Sequence, residues 1–178
     1  PGAKYAVPYM QGTIGIGYRK SAIQGGKLDS WKVLFESDQY AGKISVLGDA
    51  QNVLGCALKY LGFSFNSPSP DELKKVEDLL IAQKKNIKVF APDNGQDLLA
   101  SGEVVACQEW NGDIAQVMVA DKALDDAVPK EVTNLWDDTW AIPVNVPPQG
   151  NPPAFLHLVL DAQTGQTLAN TRHPTPHK

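Results

Sequence analysis

The chain has 178 residues, with 16 Lys and Arg against 20 Asp and Glu, a formal charge of -4, and 43% of its residues hydrophobic. That length allows one compact domain or one and a half, and the acidic balance argues against a general nucleic-acid or anionic-membrane surface. Four Trp, and no apolar run near the ~18 residues of a spanning helix, exclude disorder and membrane insertion.

In chain order, residues 9–18 predict a strand thinned by Gly12, Gly15 and Gly17, which marks the close approach of another group. The spacing of these glycines is not that of a dinucleotide cradle, and no helix follows directly. Asp29 or Ser30 is placed to cap a short helix that buries Trp31 and Leu34. Residues 43–47 read as a buried strand. Val53, Leu54, Ala57, Leu58 and Leu61 then share one face of a helix over 51–61, with Asp49 at or near its N-cap and Gly62 closing it. A second helix is predicted over 71–85, with Leu73, Val76, Leu79 and Leu80 inward and its lysines solvated. A strand over 87–90, a helix over 95–100, a strand over 103–108 and a helix over 112–120 continue the alternation. This is the pattern of a parallel or mixed sheet flanked by helices.

Residues 133–143 form a second long strand-like run, ended by a proline-rich segment at 147–153. Residues 154–160 and 164–170 read as two short helices whose apolar faces lack a partner in so short a tail. Cys56 and Cys107 are too few for a disulfide scaffold, have no metal-ligand spacing, and are expected to be buried, inert thiols. The opening PGAKYAVPYM has no basic region followed by an apolar stretch, so no targeting peptide is expected in it.

Three clusters join a carboxylate to an aromatic ring or a turn after a strand: Gly48-Asp49-Ala50, Trp110-Asn111-Gly112-Asp113 and Trp136-Asp137-Asp138. In an open α/β sheet ligands sit at the carboxyl ends of strands, so the three clusters are placed to converge on one crevice. Carboxylates only accept hydrogen bonds and indole faces attract cations, so the guest that suits them is an ammonium or guanidinium. Taken singly, each residue has a plain structural reading that outweighs the functional one. Asp49 and Asp113 can be helix caps worth about 1 kcal/mol each, and Trp110 and Trp136 can be core aromatics. Catalytic signatures are missing: there is no Gly-x-Ser-x-Gly and no His-x-x-x-His, and His157, His173 and His177 all follow the proline-rich segment. Glu109 could act as a base, but strand alternation puts it and Trp110 on opposite faces.

From Val7-Pro8-Tyr9-Met10-x-Gly12-Thr13-x-Gly15-Ile16-Gly17 through Asp29-Ser30-Trp31, Ala57-Leu58-Lys59-Tyr60-Leu61-Gly62, Asp93-Asn94, Gly102-Glu103-Val104, Trp110-Asn111-Gly112-Asp113, Pro129-Lys130-Glu131 and Asn134-Leu135-Trp136-x-Asp138, the chain resembles a known family. That family is the periplasmic spermidine/putrescine-binding proteins of polyamine ABC transporters, and Ala141-Ile142-Pro143 and Pro174-Thr175-Pro176 continue the match. The resemblance implies an α/β fold, a type II periplasmic-binding-protein-like lobe with a mixed sheet flanked by helices. It further implies that residues 15–137 are the second of two lobes, and that 1–14 and 138–178 are hinge strands and terminal pieces of an incomplete first lobe.

The function implied is that of an extracytoplasmic solute-binding component of an ABC importer, not an enzyme, holding putrescine or spermidine between lobes without a cofactor or metal. Asp49, Trp110, Asp113 and Asp138 are the implied ligand contacts, with Trp136 stacking along the methylene chain. Asn52 stands where spermidine binders carry a second carboxylate, His173 where a tyrosine is expected, and Gln11 where a tryptophan is common. The implied partners are the transporter's membrane subunits. The implied location is the periplasm, or the outer face of a Gram-positive membrane by a lipid anchor. The unpartnered tail is expected to dock on a second copy as a dimer. Two alternatives are another cationic solute on the same fold and a sensory or scaffolding module that uses this lobe for partner contact. An enzyme built on Glu109 or a cysteine ranks third.

Overall fold

One long strand, β1 (Val7–Arg19), organises the fold in the computed structural model, which describes residues 5–145 and 151–172. Residues 14–19 of β1 pair antiparallel with β4 (Ala106–Trp110) on one side and β5 (Leu124–Ala127) on the other. Residues 7–13 instead pair antiparallel with β6 (Leu135–Trp140), with a register shift between Pro8 and Met10. β4 also runs parallel to β2 (Ile44–Leu47), which is parallel to the edge strand β3 (Ile87–Ala91). The order is therefore β3-β2-β4-β1-β5, with β6 leaving this path to pair with β1 alone. The expected mixed sheet flanked by helices is present.

The helices follow the apolar spacing of the sequence. α2 (Ala50–Tyr60) starts at Asp49, whose side chain accepts the Asn52 backbone N–H, and it buries Val53, Cys56, Ala57 and Leu58. α1 (Lys32–Phe35) is the short helix expected, and the Ser30 hydroxyl accepts the Lys32 N–H at 3.1 Å. Together with β2 and the inward residues of β1 these helices enclose Trp31, Leu34, Phe35, Ile14, Ile16 and Tyr18. On the opposite face α4 (Gly95–Ala100) and α5 (Asn111–Ala120) cover a smaller core of Leu99, Val104, Cys107, Ile114 and Leu124. Gly17 makes that second layer fit, because a Cβ there would stand 2.3 Å from Ile114 Cδ1. Both cysteines are buried and free. Burial pushes the Cys56 thiol up to about 12 and raises Cys107 as well.

Several expectations need correction. β5 was not foreseen: Leu-Asp-Asp-Ala has little strand propensity, and the open edge of β1 recruits it. β4 starts later than residue 103 and extends to Trp110. α3 (Pro70–Gln83) begins at a proline suited to a first turn, and of its four predicted inward residues only Val76 is buried; Leu73 is 37% exposed. α6 (Pro152–Leu160) starts inside the proline-rich segment, and α7 (Ala162–Arg172) follows it almost at once.

Phe155 of α6 packs edge-on against Trp140, with ring centroids 5.3 Å apart, and α7 meets α5. The tail thus leans on its own chain, and docking of these helices on a second copy finds no support. Phe155, Leu158 and Leu160 nevertheless stay partly exposed. Residues 146–150 and 173–178 lie outside the described residues, and with them His173, His177 and Pro174-Thr175-Pro176.

The turn before β6 carries a strained residue. Val132 has φ +71° although it is β-branched, and its carbonyl accepts the Trp31 Nε1–H at 3.0 Å. The left-handed region costs an L-residue about 1–2 kcal/mol, against about 0.5–1 kcal/mol for the extra unfolded-state freedom of glycine. Val132→Gly is therefore expected to raise stability by about 0.5–1 kcal/mol in urea unfolding; a lower midpoint would show that the valine side chain contributes more than its backbone costs.

Candidate functional site

The site forms where β1 passes from one pairing to the other. β4 ends at Trp110 and α5 begins at once, and the Asn111 side-chain oxygen accepts the Thr13 backbone N–H at 3.0 Å, which ties α5 to β1. Across the ribbon Trp136 is in register with Gly12. A Cβ on residue 12 would lie 2.3 Å from Trp136 Cζ2 and 2.7 Å from Asn111 Oδ1, so the indole and the amide both occupy the space that glycine leaves. Trp136 meets Trp110 edge to face, with centroids 5.6 Å apart at 88°. The Thr133 hydroxyl, donating to the Ile14 carbonyl at 2.6 Å, secures the approach to β6.

Strand alternation then sorts the neighbouring acids. Asp137 accepts a hydrogen bond from the Gln11 side-chain amide at 2.8 Å, whereas Trp136 and Asp138 both border a cleft of about 380 Å³. Asn52 of α2 closes one side of that cleft, and Asp113 and Asp93 supply two more carboxylates. Asp113 is half-buried and accepts from Gln116 Nε2 at 3.3 Å. No Lys or Arg lines the cleft among the described residues, so its potential is negative.

Five residues singled out from the sequence, Asn52, Trp110, Asp113, Trp136 and Asp138, thus share one cleft. Asp49 is not among its lining: its carboxylate is engaged by the Asn52 backbone N–H at 2.8 Å and by Asn52 Nδ2 at 3.0 Å, as the cap of α2. His173 lies outside the described residues. Two further acids were not among the ligand contacts expected from the sequence, although Glu109 was weighed there as a base. Asp93 precedes α4 and reaches the cleft because β2, β3 and β4 lie side by side. Glu109, one residue before Trp110, is fully buried behind the wall. Burial raises its pKa to about 7, with the charges of Asp113 and Asp93 adding to the rise and the backbone N–H of Trp110 opposing it.

The family model described as bacterial extracellular solute-binding protein matches residues 2–176. The chain belongs to this family. It is 30% identical over 167 residues to spermidine/putrescine-binding periplasmic protein 1 of Haemophilus influenzae, a match covering 94% of this chain and 46% of that protein. The spermidine/putrescine-binding periplasmic protein of Escherichia coli is 29% identical over 177 residues, 99% of this chain and 51% of its own length. The chain thus spans about half the length of the curated relatives it matches.

Among solved structures, the substrate-binding protein PotD of a spermidine/putrescine ABC transporter from Streptococcus pneumoniae superposes with a TM-score of 0.82 at 30% identity, over 96% of this chain and 52% of that one. A putative spermidine/putrescine ABC transporter protein from Listeria monocytogenes gives 0.87 at 27% identity, over 95% and 52%. The fold is that of type II periplasmic binding proteins.

Glu109 makes stability depend on pH. Its folded-state pKa of about 7 lies above the unfolded carboxylate value of about 4.3. The folded chain therefore holds this proton longer than the unfolded chain does. Stability associated with the group is full below the unfolded value and is lost as pH rises through about 7. Glu109→Gln is expected to be more stable than the parent at pH 8 by roughly 2 kcal/mol, with a smaller difference at pH 5. Thermal unfolding in EDTA at both pH values measures this, and equal differences at the two would refute the assignment.

Proposed function

We propose that the chain is the second lobe, with the hinge strands, of an extracytoplasmic receptor that delivers a linear polyamine, putrescine or spermidine, to an ABC importer. In this reading residues 15–137 are the lobe, and 1–14 and 138–178 are terminal pieces of the first lobe. The observation that carries it is the pairing of the Trp110–Trp136 wall with the carboxylates of Asp113 and Asp138 in one cleft that no Lys or Arg lines among the described residues. The names of the matched relatives, spermidine/putrescine-binding and putrescine-binding periplasmic proteins, point the same way. The family is one of solute-binding proteins, and the reading assigns the chain transport and a periplasmic or outer-face location.

The physics is that of a clamp that closes on its guest. Each ammonium held by a carboxylate gains about 1.5–3 kcal/mol, and a desolvated indole face adds about 0.5–2 kcal/mol. Micromolar affinity needs about −8 kcal/mol, while ordering a flexible diamine and losing its free motion oppose binding. Asp113 and Asp138 with two indoles give about 4–10 kcal/mol before those costs, so once the costs are met this half holds a polyamine weakly and the facing lobe supplies the remaining contacts on closure. The closed form is then what the importer's membrane subunits distinguish from the empty receptor.

Calorimetry of the chain with putrescine and spermidine, in EDTA, tests the reading. Weak binding is expected, and Asp138→Asn should reduce it about tenfold or more. Heat with an anion or a sugar but with neither polyamine would overturn it, and an unchanged affinity in the variant would remove Asp138 from the site.

A further inference from the structure

Three carboxylates converge beside the cleft, two of them in its lining. Asp93 lies just before α4, Glu109 in β4 and Asp113 in the first turn of α5, and each offers an oxygen within 4.8 Å of the others. Asp93 is exposed, Asp113 half-buried and Glu109 wholly buried. Glu109 separates this group from an ordinary acidic surface. Its Oε1 accepts the Trp110 N–H at 3.0 Å, but its Oε2 is buried without a hydrogen-bond partner. Gly95, two residues after Asp93, makes room for that oxygen, because a Cβ there would stand 2.3 Å from Oε2. Leaving a buried acceptor unmatched is costly, and packing alone would be served by an apolar residue of similar volume.

We infer that Asp93, Glu109 and Asp113 form a binding site for a hard divalent cation of the calcium class. The donor set is all oxygen, which selects calcium or magnesium over softer metals. Oxygens up to 4.8 Å apart can be bridged by an ion whose bonds are about 2.3–2.6 Å long and whose geometry is flexible. An alkylammonium fits less well. Glu109 does not line the cleft, so an amine entering on its carbon chain meets Asp93 and Asp113 but not the orphan oxygen behind them. One ammonium would also answer three carboxylates with a single positive charge. Asp113 belongs to both the ion site and the cleft, so an ion held here offsets the charge that a cationic guest meets. The inference rests on the three acids and holds whichever solute the cleft takes.

Terbium, a luminescent stand-in for calcium, tests this on the intact chain, because Trp110 adjoins Glu109 and can sensitise its emission. Saturable emission that calcium displaces is expected, along with a rise in melting temperature on adding CaCl2. Glu109→Gln and Asp93→Asn should each weaken both effects at least tenfold, while Asp78→Asn, on exposed α3, should leave them unchanged. Emission that does not saturate, or the same titration in parent, Glu109→Gln and Asp93→Asn, would overturn the site. Melting in EDTA checks that each variant is folded, and exposed Asp93 carries the test if the buried variant is not. Polyamine heats measured in EDTA are independent of this outcome, so calcium binding without polyamine binding refutes only the transport reading, and the reverse refutes only the ion site.

Discussion

Everything in this molecule depends on one strand having two sets of partners. β1 gives its first half to β6 and its second half to β4 and β5, so the backbone that leaves the ribbon is the backbone that enters the centre of the sheet. An antiparallel ladder resists sliding, because a one-residue slip would turn every side chain to the wrong face. The position of Trp136 relative to Trp110 is thereby fixed by hydrogen bonds on both sides of Gly12 rather than by the two indoles themselves. The Asn111 amide on the Thr13 N–H adds the third point of attachment, joining the helix that carries Asp113 to the same strand.

Around this frame the chain accepts electrostatic cost. Asp93, Asp113 and Asp138 face one cleft, and Glu109 is buried close to two of them. A protein arranged only for stability would have dispersed these charges. Their grouping makes sense as preorganisation for a positive guest, since acceptors already held in place by the fold lose little freedom on binding. The indoles contribute in the same sense: Trp136 Nε1 is buried without a hydrogen-bond partner, so what the cleft receives from it is the ring rather than a donor.

The local parts of this arrangement were legible in the sequence because local rules decide them. The apolar spacing of α2, the cap at Asp49 and the run from Trp110 into α5 each follow from residues near one another in the chain. Trp136 and Asp138 could be placed on one face by strand alternation alone. What the sequence left unread was set by pairing between distant segments. β5 exists because β1 offers it an edge, not because Leu-Asp-Asp-Ala prefers to be extended. Asp93 and Glu109 meet because β2, β3 and β4 lie side by side, and no spacing rule connects residues from two strand ends. Asp49 shows the converse ambiguity: an acid before a helix looks the same in sequence whether it serves a ligand or the helix, and here its carboxylate is held by Asn52. Leu73 was placed inward by its period, yet the shallow packing of α3 leaves it at the rim.

The burial of both cysteines has a practical outcome. With Cys56 and Cys107 enclosed and their thiols held protonated, the folded chain has no ready sulfur nucleophile on its exterior. A single cysteine introduced on the ribbon or at the cleft mouth would be the one position open to maleimide chemistry. A fluorophore or spin label could therefore be attached there without first deleting either native residue, and the probe would report on the junction between the two halves of β1 in an otherwise unaltered protein.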